Sequence, residues 1–177
     1  MTSMTSVTAH RDPRVVVLGV GNLVMGDEGA GVRCIELLEA SRALPAGVVA
    51  IDGGTSTNEL LGELEDLDLL VIVDAVATGG APGSTVRLEG DRIRSAFSNK
   101  LSPHQHGIND LLATLQFAGR APRRVVVLGV TPGRIELSLE LSSEVAAALP
   151  GLAARVVAEV LGATTAPGGA PGQDSPA

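Results

Sequence analysis

Short apolar runs recur along the chain, and each is bounded by glycine, proline or acidic residues. Four of them are rich in β-branched residues and only a few residues long, which predicts strands buried on both faces of a sheet. These runs are residues 14–19, 48–51, 69–73 and 124–128. A fifth segment, 84–88, alternates polar and apolar residues and predicts an antiparallel edge strand. Leu137 and Leu139 suggest one more short strand.

Helical patterns separate these runs. An apolar stripe predicts a first helix over 29–41, and Ser56 with Glu59 forms a capping-box pattern before a short leucine-rich helix. Ser102 and Pro103 announce another helix. The expected inner face of that helix consists of Ile108, Leu111, Leu112, Leu115 and Phe117. The preceding segment, about 90–103, has no clear period and is expected to be an irregular connection.

A final helix is expected from Ser142 to about residue 162, with Pro150 interrupting it. Strands that alternate with helices predict an α/β fold, with a three-layer α/β/α arrangement, a mostly parallel twisted sheet and one antiparallel edge strand. We expect a disordered leader over 1–13, a single catalytic domain over 14–162 and a disordered tail over 163–177.

The turn after the first strand is rich in glycine and carries two adjacent acids. It does not fit the dinucleotide fingerprint G-x-G-x-x-G, because Val24 stands where the third glycine is needed. The acid pair Asp27-Glu28 would repel a phosphate and attract a cation. The alternative is structural, since acids in a first helical turn interact favourably with the helix dipole.

Three acids each follow the end of a different predicted strand: Glu28, Asp52 and Asp74. Ligands of such sheets lie outside the carboxyl ends of the strands, so the acids are expected at one edge. His104 opens a helix after the irregular segment and could reach that edge. This set suggests a borderline divalent metal such as nickel or zinc. Asp52 has a competing explanation, because aspartate before two glycines is common in turns.

Composition narrows the function classes. The formal net charge of −7 argues against a nucleic-acid surface. The single cysteine, Cys34, excludes an intramolecular disulfide and is expected to be a small core residue. No secretory h-region and no apolar run of membrane-spanning length is evident, so a cytoplasmic protein without membrane contact is expected.

Four motifs in order resemble the [NiFe]-hydrogenase maturation endopeptidases. They are Gly19-Val-Gly-Asn22 with Asp27-Glu28 and Gly31-Val32, then Asp52-Gly-Gly-Thr55, then Val73-Asp-Ala75, then Ser102-Pro-His-Gln105. The match covers about residues 14–160. The resemblance implies a cytoplasmic, metal-dependent endopeptidase that removes a C-terminal extension from a hydrogenase large-subunit precursor after nickel insertion.

The resemblance also implies roles for individual residues. Glu28, Asp74 and His104 fall on the nickel-contacting positions, and Asp52 joins them as a catalytic candidate with a less settled role. His106 has no reliable counterpart in the family. The nickel would be supplied by the substrate, and the oligomeric state is left open.

Two other classes compete with this interpretation. One is a non-catalytic nickel-sensing or chaperone module with the same acids, and the other is a nucleotide-binding α/β protein. The sequence shows neither a Ser-His-Asp arrangement nor an H-E-x-x-H helix, which argues against a serine protease or a zincin.

Overall fold

The computed structural model describes residues 12–98 and 103–165. Five strands form one sheet in the order β2-β1-β3-β5-β4. The strands are β1 (Val15–Val20), β2 (Val48–Gly54), β3 (Leu69–Ala75), β4 (Thr85–Glu89) and β5 (Val125–Val130). All neighbouring strands are parallel except β4, which pairs antiparallel with β5 at one edge. The predicted fold class is confirmed.

Five α-helices cover the sheet in the part of the chain that the structure describes. They are α1 (Ala30–Ser41), α2 (Leu61–Leu64), α3 (Asp91–Ser98), α4 (Pro103–Phe117) and α5 (Ser143–Thr165). Turns of 3-10 helix, Gly26–Gly29 and Thr57–Leu60, lead into α1 and α2. Ser56 makes no side-chain cap hydrogen bond, so the predicted capping box does not form.

Side chains that alternate along each strand divide the interior into two cores. Val71 and Val73 of β3 belong to the core that α1 and α5 cover. Leu70 and Ile72 belong to the opposite core, which contains buried residues of α3 and α4. Because β1 and β3 are buried along their whole length, the centre of the sheet is rigid and presents its strand ends in a fixed register.

Two expectations about the strands were wrong. Strand β2 lies at the edge of the sheet, where it is half-exposed and not buried on both faces, and the Val49 side chain is 52% exposed. A strand's position within a sheet depends on its partners, which a local apolar run does not reveal. Leu137 and Leu139 form no strand. They lie exposed in a bent loop with a single bridge between Ser138 and Met25.

Two expectations about the helices also need correction. Residues 91–98, expected to be irregular, form α3, which is anchored by the buried side chains of Ile93 and Phe97. These residues are four apart and lie on one helix face, but two apolar positions are too few to show a period. Phe117 is 97% exposed, since it lies about 200° around the helix from the buried Leu115.

Helix α5 continues through Pro150, so the predicted interruption is wrong, and the helix ends three residues beyond the predicted domain boundary at 162. By length and composition, residues 143–164 could cross a membrane, with a mean hydropathy of 1.6. However, one stripe of α5 is buried against the sheet in the manner of a core helix: Val145, Leu152, Val156 and Val160. The predictions for residues 1–11 and 166–177 lie outside the described residues.

Glycine at position 31 allows α1 to pack against the two central strands. A Cβ atom there would stand 2.2 Å from the carbonyl oxygens of both Val20 and Val73. Both atoms belong to backbone within the sheet and cannot move aside. Gly31 therefore sets how closely the start of α1 approaches the ends of β1 and β3.

We expect Gly31→Ala to lower the free energy of unfolding by at least about 3 kcal/mol, because overpacking against backbone forces the helix off the sheet. Urea unfolding of the purified variant measures this. Gly151→Ala in α5 is the matched control, since nothing lies within 4 Å of its added Cβ. That variant should gain about 0.5–1 kcal/mol from helix propensity. Equal stabilities for the two variants would contradict the close-packing argument.

Candidate functional site

The chain reverses its direction of winding around β1, because β2 lies on one side of that strand and β3 on the other. In open α/β sheets, this switch point leaves a crevice outside the carboxyl ends of the two strands, where ligands bind. Here the turn of Gly26–Gly29 borders the crevice after β1, and Asp74 borders it as the penultimate residue of β3.

Glu28 lies on the 3-10 turn and its side chain is half-buried. The turn folds closely over the end of β1. A Cβ on Gly21 would stand 1.8 Å from the Glu28 carbonyl oxygen, and Gly21 has a φ of +141°. Glycine at 21 therefore permits both the left-handed backbone and the close approach that hold Glu28 over the crevice.

Asp74 is fully buried in the central strand β3. Its Oδ1 accepts a hydrogen bond of 2.8 Å from the Ala75 backbone N–H. Strand alternation puts Asp74 on the same face as Leu70 and Ile72, which is the face covered by α4. A buried carboxylate is costly unless it is paired or coordinates a metal, so its position at a strand end beside the crevice favours a functional role.

The start of α4 lies toward the same edge of the sheet. The far end of this helix is tied to the amino edge, since the Arg120 N–H donates to Leu115 and the Arg120 carbonyl accepts from Asp66, just before β3. Helix α4 and strand β3 each span roughly 20 Å. The backbone of α4 therefore begins near the carboxyl edge, and it begins at Pro103 as predicted. The side chains of His104 and His106, and the predicted N-cap Ser102, lie outside the described residues.

Asp52 occupies a different position from Asp74. It is level with Gly19 in the parallel register and exposed, and its Oδ1 accepts a 2.9 Å hydrogen bond from the Gly54 N–H. Alternation places it on the face of Val48 and Ala50, which pack against the α1 and α5 core. Asp52 thus shares the edge but lies on the opposite face of the sheet, and its local hydrogen bond fits the turn-forming explanation. Its catalytic role stays a prediction.

Asp27 is not part of a cation-binding pair with Glu28. It is fully buried and its carboxylate accepts four hydrogen bonds of 2.7–2.8 Å. The donors are the backbone N–H groups of Gly133, Arg134 and Ser142 and the Ser142 hydroxyl. Burial alone would raise the pKa of Asp27, but these hydrogen bonds outweigh it, and the pKa lies below its ordinary value of 3.8.

The acid pair therefore divides its roles, with Glu28 at the crevice and Asp27 fastening the loop before α5. This function of Asp27 was not predicted from the sequence. Its partners are 106–115 residues further along the chain, and no local pattern points to them.

Cys34 is excluded as a nucleophile. Its side chain is fully buried in the core beneath α1, as predicted, and burial raises the pKa of the thiol to about 12. Among the described residues, no group of three His, Cys, Asp or Glu side chains is arranged to hold a metal. Glu28 and Asp74 alone do not make a complete metal site.

Comparisons with known proteins agree with this architecture. The sequence model of the hydrogenase maturation protease family matches residues 32–159. Hydrogenase 2 maturation protease of Escherichia coli K12 is 40% identical over 146 residues, covering 82% of this chain and 89% of that protein. Hydrogenase expression/formation protein HupD of Rhodobacter capsulatus is 41% identical over 129 residues, covering 72% of this chain and 61% of that protein.

Solved structures show the same fold. The hydrogenase maturating endopeptidase HybD from Escherichia coli superposes with a TM-score of 0.79 at 38% identity, covering 84% of this chain and 93% of that one. The [NiFe] hydrogenase maturation protease HybD from Thermococcus kodakarensis gives a TM-score of 0.68 at 28% identity, covering 84% and 98%. This chain belongs to the hydrogenase maturation protease family.

Proposed function

We propose that this protein is the endopeptidase that removes the C-terminal extension of a [NiFe]-hydrogenase large-subunit precursor after nickel insertion. Family membership supports the reaction class, and relatives named as hydrogenase maturation proteases support the kind of substrate. The observation that carries the proposal is the crevice at the switch point, which the half-buried Glu28 and the buried Asp74 both border.

In this proposal the nickel belongs to the substrate. Glu28, Asp74 and His104 supply a few ligands to it, and the precursor's own nickel centre supplies the others. An incomplete set of protein ligands suits this division, because it binds the metal firmly only when the loaded precursor is present. A nickel ion contributes a Lewis acid or a bound hydroxide to the cleavage of a peptide bond.

The carboxylates have separate tasks in recognition. Buried in β3, Asp74 is held by the sheet, so it presents a negative charge at a fixed position. Glu28 lies on a turn whose neighbour Asp27 is locked by four hydrogen bonds, which restricts the Glu28 backbone as well. Such preorganised acids favour a cationic centre over an empty, anionic ligand pocket in the precursor.

A nickel-sensing or chaperone module remains the competing function, since the same acids could bind a loaded precursor without cutting it. The protease family assignment favours the enzyme. The two functions differ in one measurable product, which is the shortened large subunit.

The decisive experiment mixes the purified protein with nickel-loaded and nickel-free precursor and follows the precursor by intact mass. We expect loss of a C-terminal fragment only from the loaded precursor. Tight binding without shortening would support the chaperone instead. Equal shortening of both precursors would contradict nickel recognition while leaving the protease activity in place.

A further inference from the structure

An exposed apolar patch lies beside the candidate site. The structure describes seven large apolar side chains that are exposed, and four of them lie together here: Val24, Ile135, Leu137 and Leu139. Leu137 is 84% exposed and Leu139 is 67% exposed. Ser138, between the two leucines, exchanges backbone hydrogen bonds with the turn: its N–H donates to Val24 and its carbonyl accepts from Gly26. The patch is therefore joined to the turn that carries Glu28.

The loop of residues 134–140, here called the leucine loop, is held in a single conformation by contacts on three sides. The Asp27 carboxylate accepts from the Gly133 and Arg134 N–H groups, and the Asp27 N–H donates to the Arg134 carbonyl. Arg33 of α1 donates to the Leu139 carbonyl at 3.2 Å. The exposure of the leucines is thus not a consequence of a loose loop, because the backbone beneath them is fixed.

We propose that Leu137 and Leu139 are specificity-determining residues that bind apolar side chains of the precursor protein next to the bond that is cut. Apolar side chains held in water on a rigid backbone are typical of binding surfaces, because their burial gives affinity without an ordering cost. The inference rests on the proposed function, since it takes the precursor as the partner.

The position of the patch favours the substrate over a second copy of this chain. The turn of residues 24–29 carries both Val24 and Glu28, so the patch is continuous with the edge that receives the protein substrate. A second copy on the patch would cover that edge and block the crevice. A protein substrate that enters the crevice buries the leucines in the same step.

The experiment compares wild type with the double variant Leu137→Ser/Leu139→Ser. Both side chains are exposed, so the thermal midpoint should stay within a few degrees. With nickel-loaded precursor, we expect KM for removal of the extension to rise at least about tenfold, because truncated anchor residues weaken binding. We expect kcat to change less than about twofold, because the acids at the crevice are unchanged.

Phe117→Ser is the matched control, since Phe117 is equally exposed but lies at the end of α4 near the opposite edge of the sheet. Its KM should equal that of wild type. An unchanged KM for the double variant would overturn the inference. So would a later elution from a sizing column with unchanged KM, which would assign the patch to a second copy.

Calorimetric titration with the precursor separates this inference from the proposed function. If wild type binds the precursor without shortening it, the proposed cleavage fails, yet weaker binding of the double variant would still support the patch. If wild type cleaves and both proteins bind equally, the patch inference alone fails. If wild type neither binds nor cleaves, both fail.

Discussion

Glu28→Gln and Asp74→Asn should each lower cleavage of nickel-loaded precursor by at least about a hundredfold. Each substitution keeps the size of the side chain and removes the negative charge that faces the crevice. An amide is a much poorer ligand for a divalent cation than a carboxylate. The rate is measured by intact mass under single-turnover conditions, with the precursor in contact with excess protein.

Both variants should remain folded. The amide oxygen introduced by Asp74→Asn can still accept the hydrogen bond that the Asp74 carboxylate accepts from the Ala75 N–H. Glu39→Gln is the matched control, because Glu39 is an exposed acid on α1 away from the crevice. His104→Ala should behave like the two acid variants, and His106→Ala should keep most of its activity, since residues two apart do not share a helix face. Full activity in Glu28→Gln would remove that residue from the site.

Asp27→Ala should lower the free energy of unfolding by about 4 kcal/mol, which is a large part of the stability of an ordinary domain. The substitution removes the acceptor of four hydrogen bonds and leaves three backbone N–H groups without their partner. Urea unfolding measures the loss. Glu28→Gln is the control in this assay, because that neighbouring side chain is only half-buried and should change stability by less than about 1 kcal/mol.

The stabilisation from Asp27 should depend on pH in a defined direction. Its pKa is lower in the folded protein than its ordinary value of 3.8, so the folded state binds the proton less readily than the unfolded state. The contribution is fully present above pH 3.8 and is lost as the pH falls through the lower folded pKa. The stability difference between wild type and Asp27→Ala should therefore shrink below pH 3.8. A difference that stays constant from pH 7 to pH 2.5 would contradict the ionised, hydrogen-bonded state of Asp27.

Local patterns in the sequence are sufficient to predict the elements that repeat them. The apolar runs of β1 and β3 are fully buried in the centre of the sheet, and the alternation of 84–88 appears as the antiparallel edge strand β4. Pro103 marks the start of α4. These features depend on side-chain period and backbone restriction within a few residues, which a sequence displays directly. The placement of Glu28 and Asp74 at one edge also follows from the sequence, because parallel strands align their carboxyl ends.

Features that depend on distant partners became visible only in three dimensions. The same kind of apolar run is buried in β1 but half-exposed in β2, because β1 has a strand on each side and β2 has one. Asp27 and Glu28 are adjacent acids with identical local signals. They separate into a structural acid and a crevice acid because the segment 133–142 folds onto Asp27 alone. Long-range contacts of this kind depend on how the whole chain closes, and no window of neighbouring residues contains them.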